Sequence, residues 1–116
     1  LTFDGSTLKV NGGVIHKRTP KDTSSVTSYT LLASDYYIGV NHGSGSAQAI
    51  TLTLPAVSGL DGTTYVVKDE DGDAGGATIT IDADGSETID GAASITITSA
   101  YGAVTLLCTG SAWSII

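Results

Sequence analysis

The sequence is short of several residue types, and each shortage excludes a class of protein. Its 116 residues include no Met and one residue each of Cys, Trp and Phe. A lone cysteine cannot form an intrachain disulfide, which excludes a disulfide-stabilised scaffold. Because large aromatic side chains are few, the core is predicted to be thin and aliphatic. The chain starts at Leu1 and lacks Met, so it reads as a portion of a longer protein.

Positive charge is also scarce, and its placement is uneven. Five basic residues face twelve acidic ones, for a net charge of −7. Four of the basic residues lie within residues 1–22 beside only two acids, so that segment carries +2. Residues 23–116 hold Lys68 against ten acids and carry −9, which predicts repulsion of nucleic acid and of anionic membranes. No apolar run approaches the roughly 18 residues of a membrane span, so no membrane insertion is expected.

Two-residue alternation is the main pattern that is present. In three segments, 50–54, 78–81 and 95–98, Thr alternates with Ile or Leu, which is typical of half-buried strands in an antiparallel sheet. Turn residues rich in Gly and Asp separate the apolar segments, and Asp90-Gly91 has the form of a two-residue hairpin turn. Further strands are predicted at 7–10, 29–33, 36–40, 63–68, 102–108 and 112–116.

This spacing predicts an all-β fold, an antiparallel β-sandwich or prism-like domain of about nine short strands. The similar strands are unevenly spaced, so they are interpreted as a meander and not as a solenoid repeat. Residues 1–22 are predicted to form an N-terminal strand-turn-strand connector or arm, and residues 23–116 the all-β module. Cys108 and Trp113, both in apolar segments, are expected to be buried.

The acidic turns raise the possibility of a metal site. Asp69, Asp71 and Asp73 place carboxylates at positions 1, 3 and 5 of a loop, as in calcium-binding loops. However, Gly72 stands at position 4 instead of 6, and Thr80 stands where a bidentate Glu is required. Asp-Gly pairs are also expected simply for turn geometry. No bound metal or other cofactor is therefore predicted, and calcium stays open as an alternative.

No catalytic constellation is recognisable, and the chain is predicted not to be an enzyme. His16 and His42 lie in no catalytic or metal-binding motif, and no carboxylate pair is singled out for glycoside hydrolysis. Surface binding is more plausible, because loops on a rigid β scaffold carry recognition. Of adjacent Tyr36 and Tyr37, at least one should face solvent or a subunit interface. The predicted binding residues are Tyr36, Tyr37, His42, Asp61, Asp71 and Asp73.

Several segments together resemble a known family. They are YTLLASD at 29–35, ITLTLPA at 50–56, YVVKDE at 65–70, ITIDADGSETIDG at 79–91 and YGAVTL at 101–106, with the closing Trp113. In this order they are similar to the C-terminal β-module of bacteriophage tail fibre, tailspike and head-fibre structural proteins. Residues 1–13 resemble the short β-repeats that precede such modules. The resemblance implies no catalytic residue.

The resemblance implies a virion structural protein, exposed on the particle surface, that assembles as a homotrimer beside other virion proteins and contacts host surface glycans. A capsid decoration protein and a non-catalytic carbohydrate-binding module are the alternatives. Segment 102–108 also favours a partner, because Ala103, Thr105 and Leu107 give its second face apolar character.

Overall fold

The structure, a computed structural model, describes residues 2–3, 5, 8–43 and 47–116. Within these residues the protein is all-β and has no helix, hence none long and apolar enough to cross a membrane. The described strands are β1 (Thr2–Phe3), β2 (Leu8–Lys9), β3 (Arg18–Asp22), β4 (Ser28–Thr30), β5 (Tyr37–Asn41), β6 (Ile50–Thr53), β7 (Thr64–Asp69), β8 (Ile79–Asp82), β9 (Ser94–Ile97), β10 (Ala103–Cys108) and β11 (Trp113–Ile115).

The strands form two larger sheets and one small one. The small sheet pairs β1 with β2 antiparallel, as the predicted strand-turn-strand pattern requires. The five-stranded sheet has the order β11-β10-β7-β5-β3, and the four-stranded sheet has the order β4-β6-β8-β9. The prediction of an all-β fold is therefore confirmed.

The prediction of a purely antiparallel meander is wrong, because both larger sheets are mixed. From β3 to β8 the chain places successive strands in alternate sheets, so β3, β5 and β7 share one sheet and β4, β6 and β8 the other. Neighbouring strands in both sets are parallel, with Ile50 opposite Ile79 in β6 and β8. A parallel pair needs a crossover connection, and here the strand in the opposite sheet provides it. The chain thus makes three successive coils, an arrangement close to the solenoid that the sequence analysis rejected.

Antiparallel strands complete each sheet after the coils. β9 pairs with β8, and β10 lies between β7 and β11. The turn before β9 is the predicted hairpin turn, in which Ile89 and Ala92 exchange two backbone hydrogen bonds of 2.7 and 2.9 Å. Asp90 and Gly91 both have positive φ, 47° and 85°, which identifies a type I′ turn.

Eight of the nine predicted strands coincide with strands of the larger sheets, to within about three residues at their ends. The ninth, 7–10, contains β2 of the small sheet. The missed strand is β3, whose sequence RTPKD is polar and contains a proline. Such a strand is tolerated only at a sheet edge, and β3 is the edge of the five-stranded sheet.

Backbone hydrogen bonds explain how β3 accommodates its proline. Lys17 O accepts from Tyr37 N at 3.1 Å, and Thr23 N donates to Asn41 O at 2.9 Å. Since backbone groups of alternate residues point to the same side of a strand, odd-numbered residues face β5 and Pro20 faces outward. Pro20 therefore removes one N–H from an open edge and protects it from pairing. The compositional boundary at residue 22 lies at the end of this strand and not between sheets.

Both larger sheets contribute side chains to one core. Alternation along the strands buries one face, as in β6, where Ile50 and Leu52 are buried and Thr51 is exposed. Buried side chains of both sheets belong to one hydrophobic cluster. Cys108 and Trp113 are each 1% exposed, as predicted, and the indole of Trp113 lies 5.4 Å from the ring of Tyr65, centroid to centroid.

Candidate functional site

A buried carboxylate lies at each end of the parallel strands. Asp35 precedes β5 and lies near the start of β3, whereas Asp69 ends β7 on the opposite side. Both carboxylate side chains are fully buried. A buried carboxylate must be paired or hydrogen-bonded, so each one fixes the loops around it.

Asp35 joins the start of the first coil to the connection between β4 and β5. Its carboxylate accepts hydrogen bonds from Lys17 Nζ at 2.8 Å, Thr19 Oγ1 at 2.8 Å, Tyr29 OH at 2.7 Å and Leu32 N at 2.9 Å. Burial alone raises the pKa of Asp35, but these donors, led by the Lys17 ammonium, outweigh it and hold the pKa well below its usual range. Burial and the carboxylate raise the pKa of Tyr29 to about 12, so this hydroxyl stays a donor.

Asp69 organises the opposite end. Its two oxygens accept backbone N–H groups of Gly72 at 3.1 Å, Ala74 at 3.1 Å and Tyr101 at 2.9 Å, with a longer contact of 3.4 Å from Asp71. Burial raises the pKa of Asp69, but the backbone donors, first those of Ala74 and Tyr101, lower it below its ordinary value. One side chain thus holds both loop 70–77 and the turn before β10.

His42 connects two successive loops at this end. Its Nδ1 lies 2.8 Å from Asp71 Oδ1, and its Nε2 lies 2.9 Å from Ala77 O. The His42 backbone N–H also donates to Asp71 Oδ2. Through these contacts to Asp71 and Ala77, His42 ties the loop after β5 to the loop after β7.

His42, Asp69 and Asp71 also bring three potential metal ligands within 4.8 Å of one another. Their contacts fit a hydrogen-bonded cluster better than a metal site. Calcium prefers oxygen ligands, and a zinc ligand needs a nitrogen lone pair that points at the metal, whereas Nδ1 points at Asp71. The lone pairs of Asp69 are already directed at backbone amides. Asp73, the third predicted calcium ligand, is exposed and stands outside this group.

The predicted binding residues are divided between the two ends. Tyr36 and Tyr37 lie at the start of β5, and Asp61 lies in the loop before β7 at the same end of the parallel strands. Asp71 and Asp73 lie at the other end, in the loop after β7. The six residues therefore do not form one surface. His42 was predicted to contact a ligand, but it is 1% exposed, so a ligand on the surface cannot reach its ring.

The tyrosine pair offers little free ring surface. The Tyr36 ring stacks on the His16 imidazole, with centroids 3.9 Å apart and planes at 19°. Tyr37 is half-buried and its hydroxyl donates to Glu70 Oε2 at 3.2 Å. Glu70 also pairs with Arg18 and lies over Gly39, where a side chain would collide with it. Both rings are thus engaged within the protein.

Tyr101 is the most exposed aromatic residue described at the end of the parallel strands where Asp69, Asp71 and Asp73 lie. It is 59% exposed, and its ring rests on Gly72, where an added Cβ would lie 2.8 Å from Tyr101 Cε2. The residue has φ of 60°, which is uncommon for a bulky side chain. Asp73, which follows Gly72 in the sequence, is also exposed.

No protein-family model matches the sequence, and no curated protein matches it.

The sequence contained one signal that the Asp69 carboxylate is buried. Tyr65, Val67 and Asp69 alternate with more polar or more exposed positions in β7, so period two places Asp69 on the core side. The sequence analysis treated Asp69 as part of an acidic turn instead. Nothing comparable marked Tyr101, because positive φ in Ser-Ala-Tyr-Gly is expected at the glycine.

The two buried carboxylates give an expected pH dependence. Their pKa values are lowered in the folded protein, while in the unfolded chain an Asp titrates near 3.9. The stability that they contribute is therefore complete above about pH 4 and is lost as the pH falls through the folded-state values. Urea unfolding between pH 5 and pH 2 measures this slope. We expect Asp35→Asn to have a shallower slope below pH 4, and an unchanged slope would contradict this account.

Proposed function

We propose that the chain is a structural module of a bacteriophage virion, belonging to a tail fibre, spike or head fibre, that assembles as a homotrimer and displays its loops at the particle surface. Its two sheets would pack as a β-sandwich. The proposal assigns no catalytic role to the module. The family resemblance in the sequence motivates it, and the N-terminal segment is the observation that carries it.

Residues 8–17 expose a series of large apolar side chains. Leu8, Val10, Val14 and Ile15 are 58, 43, 59 and 98% exposed. Isolated exposed apolar residues are ordinary, but four within eight residues favour a segment that a partner covers. The outward face of β10 is a second, separate surface that a partner could cover: Ala103 is exposed, and Thr105 and Leu107 are half-buried.

Charge favours a second copy of the chain as that partner. Residues 1–22 carry four basic residues against two acids, whereas the remainder carries Lys68 against ten acids. In net charge the segment is thus complementary to the body of another copy, although Lys17 and Arg18 already pair with Asp35 and Glu70 of their own chain. Such a head-to-tail contact closes into a ring when the rotation permits, and a ring of three is the smallest one that does not use a two-fold interface.

Light scattering after gel filtration tests the assembly. We expect the wild-type chain to be a trimer at micromolar concentration and the variant Val14→Ser/Ile15→Ser to be a monomer that keeps the β-sheet circular dichroism of the wild type, because these side chains contact solvent in the isolated chain. Its melting temperature should lose the contribution of assembly. Leu32→Ser is the matched control, since Leu32 is 54% exposed but lies outside the segment. A wild-type monomer contradicts the proposal.

Capsid decoration is the second candidate, because the same exposed segment could dock on a shell. Incubation of the purified protein with isolated capsids and with host cells separates the two roles. Saturable binding to capsids, together with higher heat resistance of the particles and no binding to cells, favours decoration. Binding to cells without binding to capsids favours a fibre or spike.

A further inference from the structure

We propose that Tyr101, seated on Gly72 beside the acidic loop 71–76, is the stacking platform of a binding site for neutral glycans. This inference rests on the proposed display function and deepens it by naming the ligand class and the residue that contacts it. It moves the contact surface from the predicted pair, Tyr36 and Tyr37, to the opposite end of the parallel strands.

Part of the Tyr101 ring contacts the protein, and much of the residue is open to solvent. Its Cε2 and Cζ atoms lie against Gly72, where an added Cβ would be 2.8 and 2.9 Å from them, and the Lys68 ammonium lies over the ring, 5.7 Å from its centroid. The residue is 59% exposed, so ring surface remains available to a ligand. A tyrosine whose ring is supported from below presents a rigid apolar surface with a polar tip, which suits the C–H face of a pyranose.

Two adjacent side chains of β7 bond to the backbone N–H and carbonyl oxygen of Tyr101. Asp69 Oδ2 accepts its N–H at 2.9 Å, and the ammonium of Lys68 donates to its carbonyl oxygen. The turn closes through Gly102 N–H to Ser99 O at 2.9 Å. A platform fixed in this way loses little conformational entropy when a ligand binds.

The conformation of Tyr101 is costly for folding, which makes a purely structural role a poor explanation. Glycine adopts φ of 60° readily, whereas a bulky residue is strained there. The neighbouring Gly102 is required for a different reason, lack of space: an added Cβ there would lie 2.5 Å from Ile97 Cγ2. Strained non-glycine residues concentrate at functional sites, and here the strained residue is also the exposed ring.

The surrounding charge selects the ligand class. Asp73 is exposed and the Asp71 side chain is 21% exposed, so both offer acceptors to sugar hydroxyls. Lys68 is the one basic residue from residue 23 onward and lies at the Tyr101 ring, but ten acids in the same part of the sequence outweigh it. This excess repels sulfated, sialylated and uronic-acid polymers. Neutral hexoses and N-acetylhexosamines combine hydroxyl donors with apolar ring faces and carry no opposing charge.

Tyr101→Gly tests the platform, because it separates binding from stability. The probes are arrayed neutral oligosaccharides of hexose and N-acetylhexosamine, with sialylated and sulfated oligosaccharides as the charged set. We expect the wild-type chain to bind members of the neutral set with little dependence on salt. In Tyr101→Gly we expect at least a tenfold loss of affinity, with a melting temperature that is unchanged or up to about 4 °C higher. Tyr101→Trp should keep binding, and Tyr36→Ala is the matched aromatic control that should also keep it.

The platform is overturned by failure of the wild-type chain to bind the neutral set, by Tyr101→Gly binding as well as wild type, or by salt-sensitive binding of the charged set alone. A melting temperature of Tyr101→Gly well below the wild-type value also overturns it, since Tyr101 would then be structural. The same array with the Val14→Ser/Ile15→Ser variant separates this inference from the assembly proposal. Binding by a monomeric wild-type chain would reject the trimer and support the platform.

Discussion

Replacement of Asp35 by alanine is expected to lower the free energy of unfolding by about 3 kcal/mol, a large share of the stability of a small domain. The Asp35 carboxylate satisfies four donors. Without it, the Thr19 hydroxyl loses its acceptor at a buried position and the Tyr29 hydroxyl and Leu32 amide lose theirs at partly buried ones, at about 1 kcal/mol each. The Lys17 ammonium adds little, because its side chain is 50% exposed and regains water.

Urea unfolding at pH 7 measures the loss, and Asp84→Ala is the matched control. Asp84 is an exposed aspartate in a turn, so its replacement should change the free energy of unfolding by less than about 0.5 kcal/mol. Asp35→Asn should be milder than Asp35→Ala, because two of the partners are hydroxyl groups, which can rotate and accept from the new amide. An Asp35→Ala variant as stable as Asp84→Ala would show that Asp35 does not hold the first coil.

The sequence predicted the strands well because their signal is local. Thr alternating with Ile or Leu in β6 and β8 is a pattern of period two, and it buries the aliphatic face wherever the strand is placed. The hairpin turn at Asp90-Gly91 is equally local, since both residues tolerate positive φ. These features depend on neighbouring residues alone, and the structure has them where the sequence indicates.

Strand pairing and the polar clusters are not local, and there the sequence reasoning failed. Nothing in the alternation distinguishes a strand that returns antiparallel from one that returns parallel after a visit to the second sheet. The polar strand β3 is stable because β5 supplies its hydrogen bonds, which its own residues do not reveal. His42 and Asp71 are 29 residues apart and meet only because two successive coils place their loops side by side.

The second large effect is expected at the other buried carboxylate. Asp69→Ala should lower the free energy of unfolding by about 3 kcal/mol, because the amides of Gly72, Ala74 and Tyr101 would lose their acceptor. The damage should be concentrated in the loops. We expect hydrogen exchange of these amides to accelerate, and proteolysis within residues 70–77 to become faster than in the wild-type chain.

Two further variants make this expectation specific to the carboxylate of Asp69. Asp73→Ala, in the same loop but exposed, should be within about 0.5 kcal/mol of wild type. Asp69→Asn should be nearly as damaging as Asp69→Ala, unlike the change at Asp35, because every strong partner of Asp69 is a backbone N–H that cannot become an acceptor. The asparagine amide would then direct donors at donors. If Asp69→Asn were as stable as Asp73→Ala, the loops would have to be held by other contacts, and the fixed position of Tyr101 would need a different explanation.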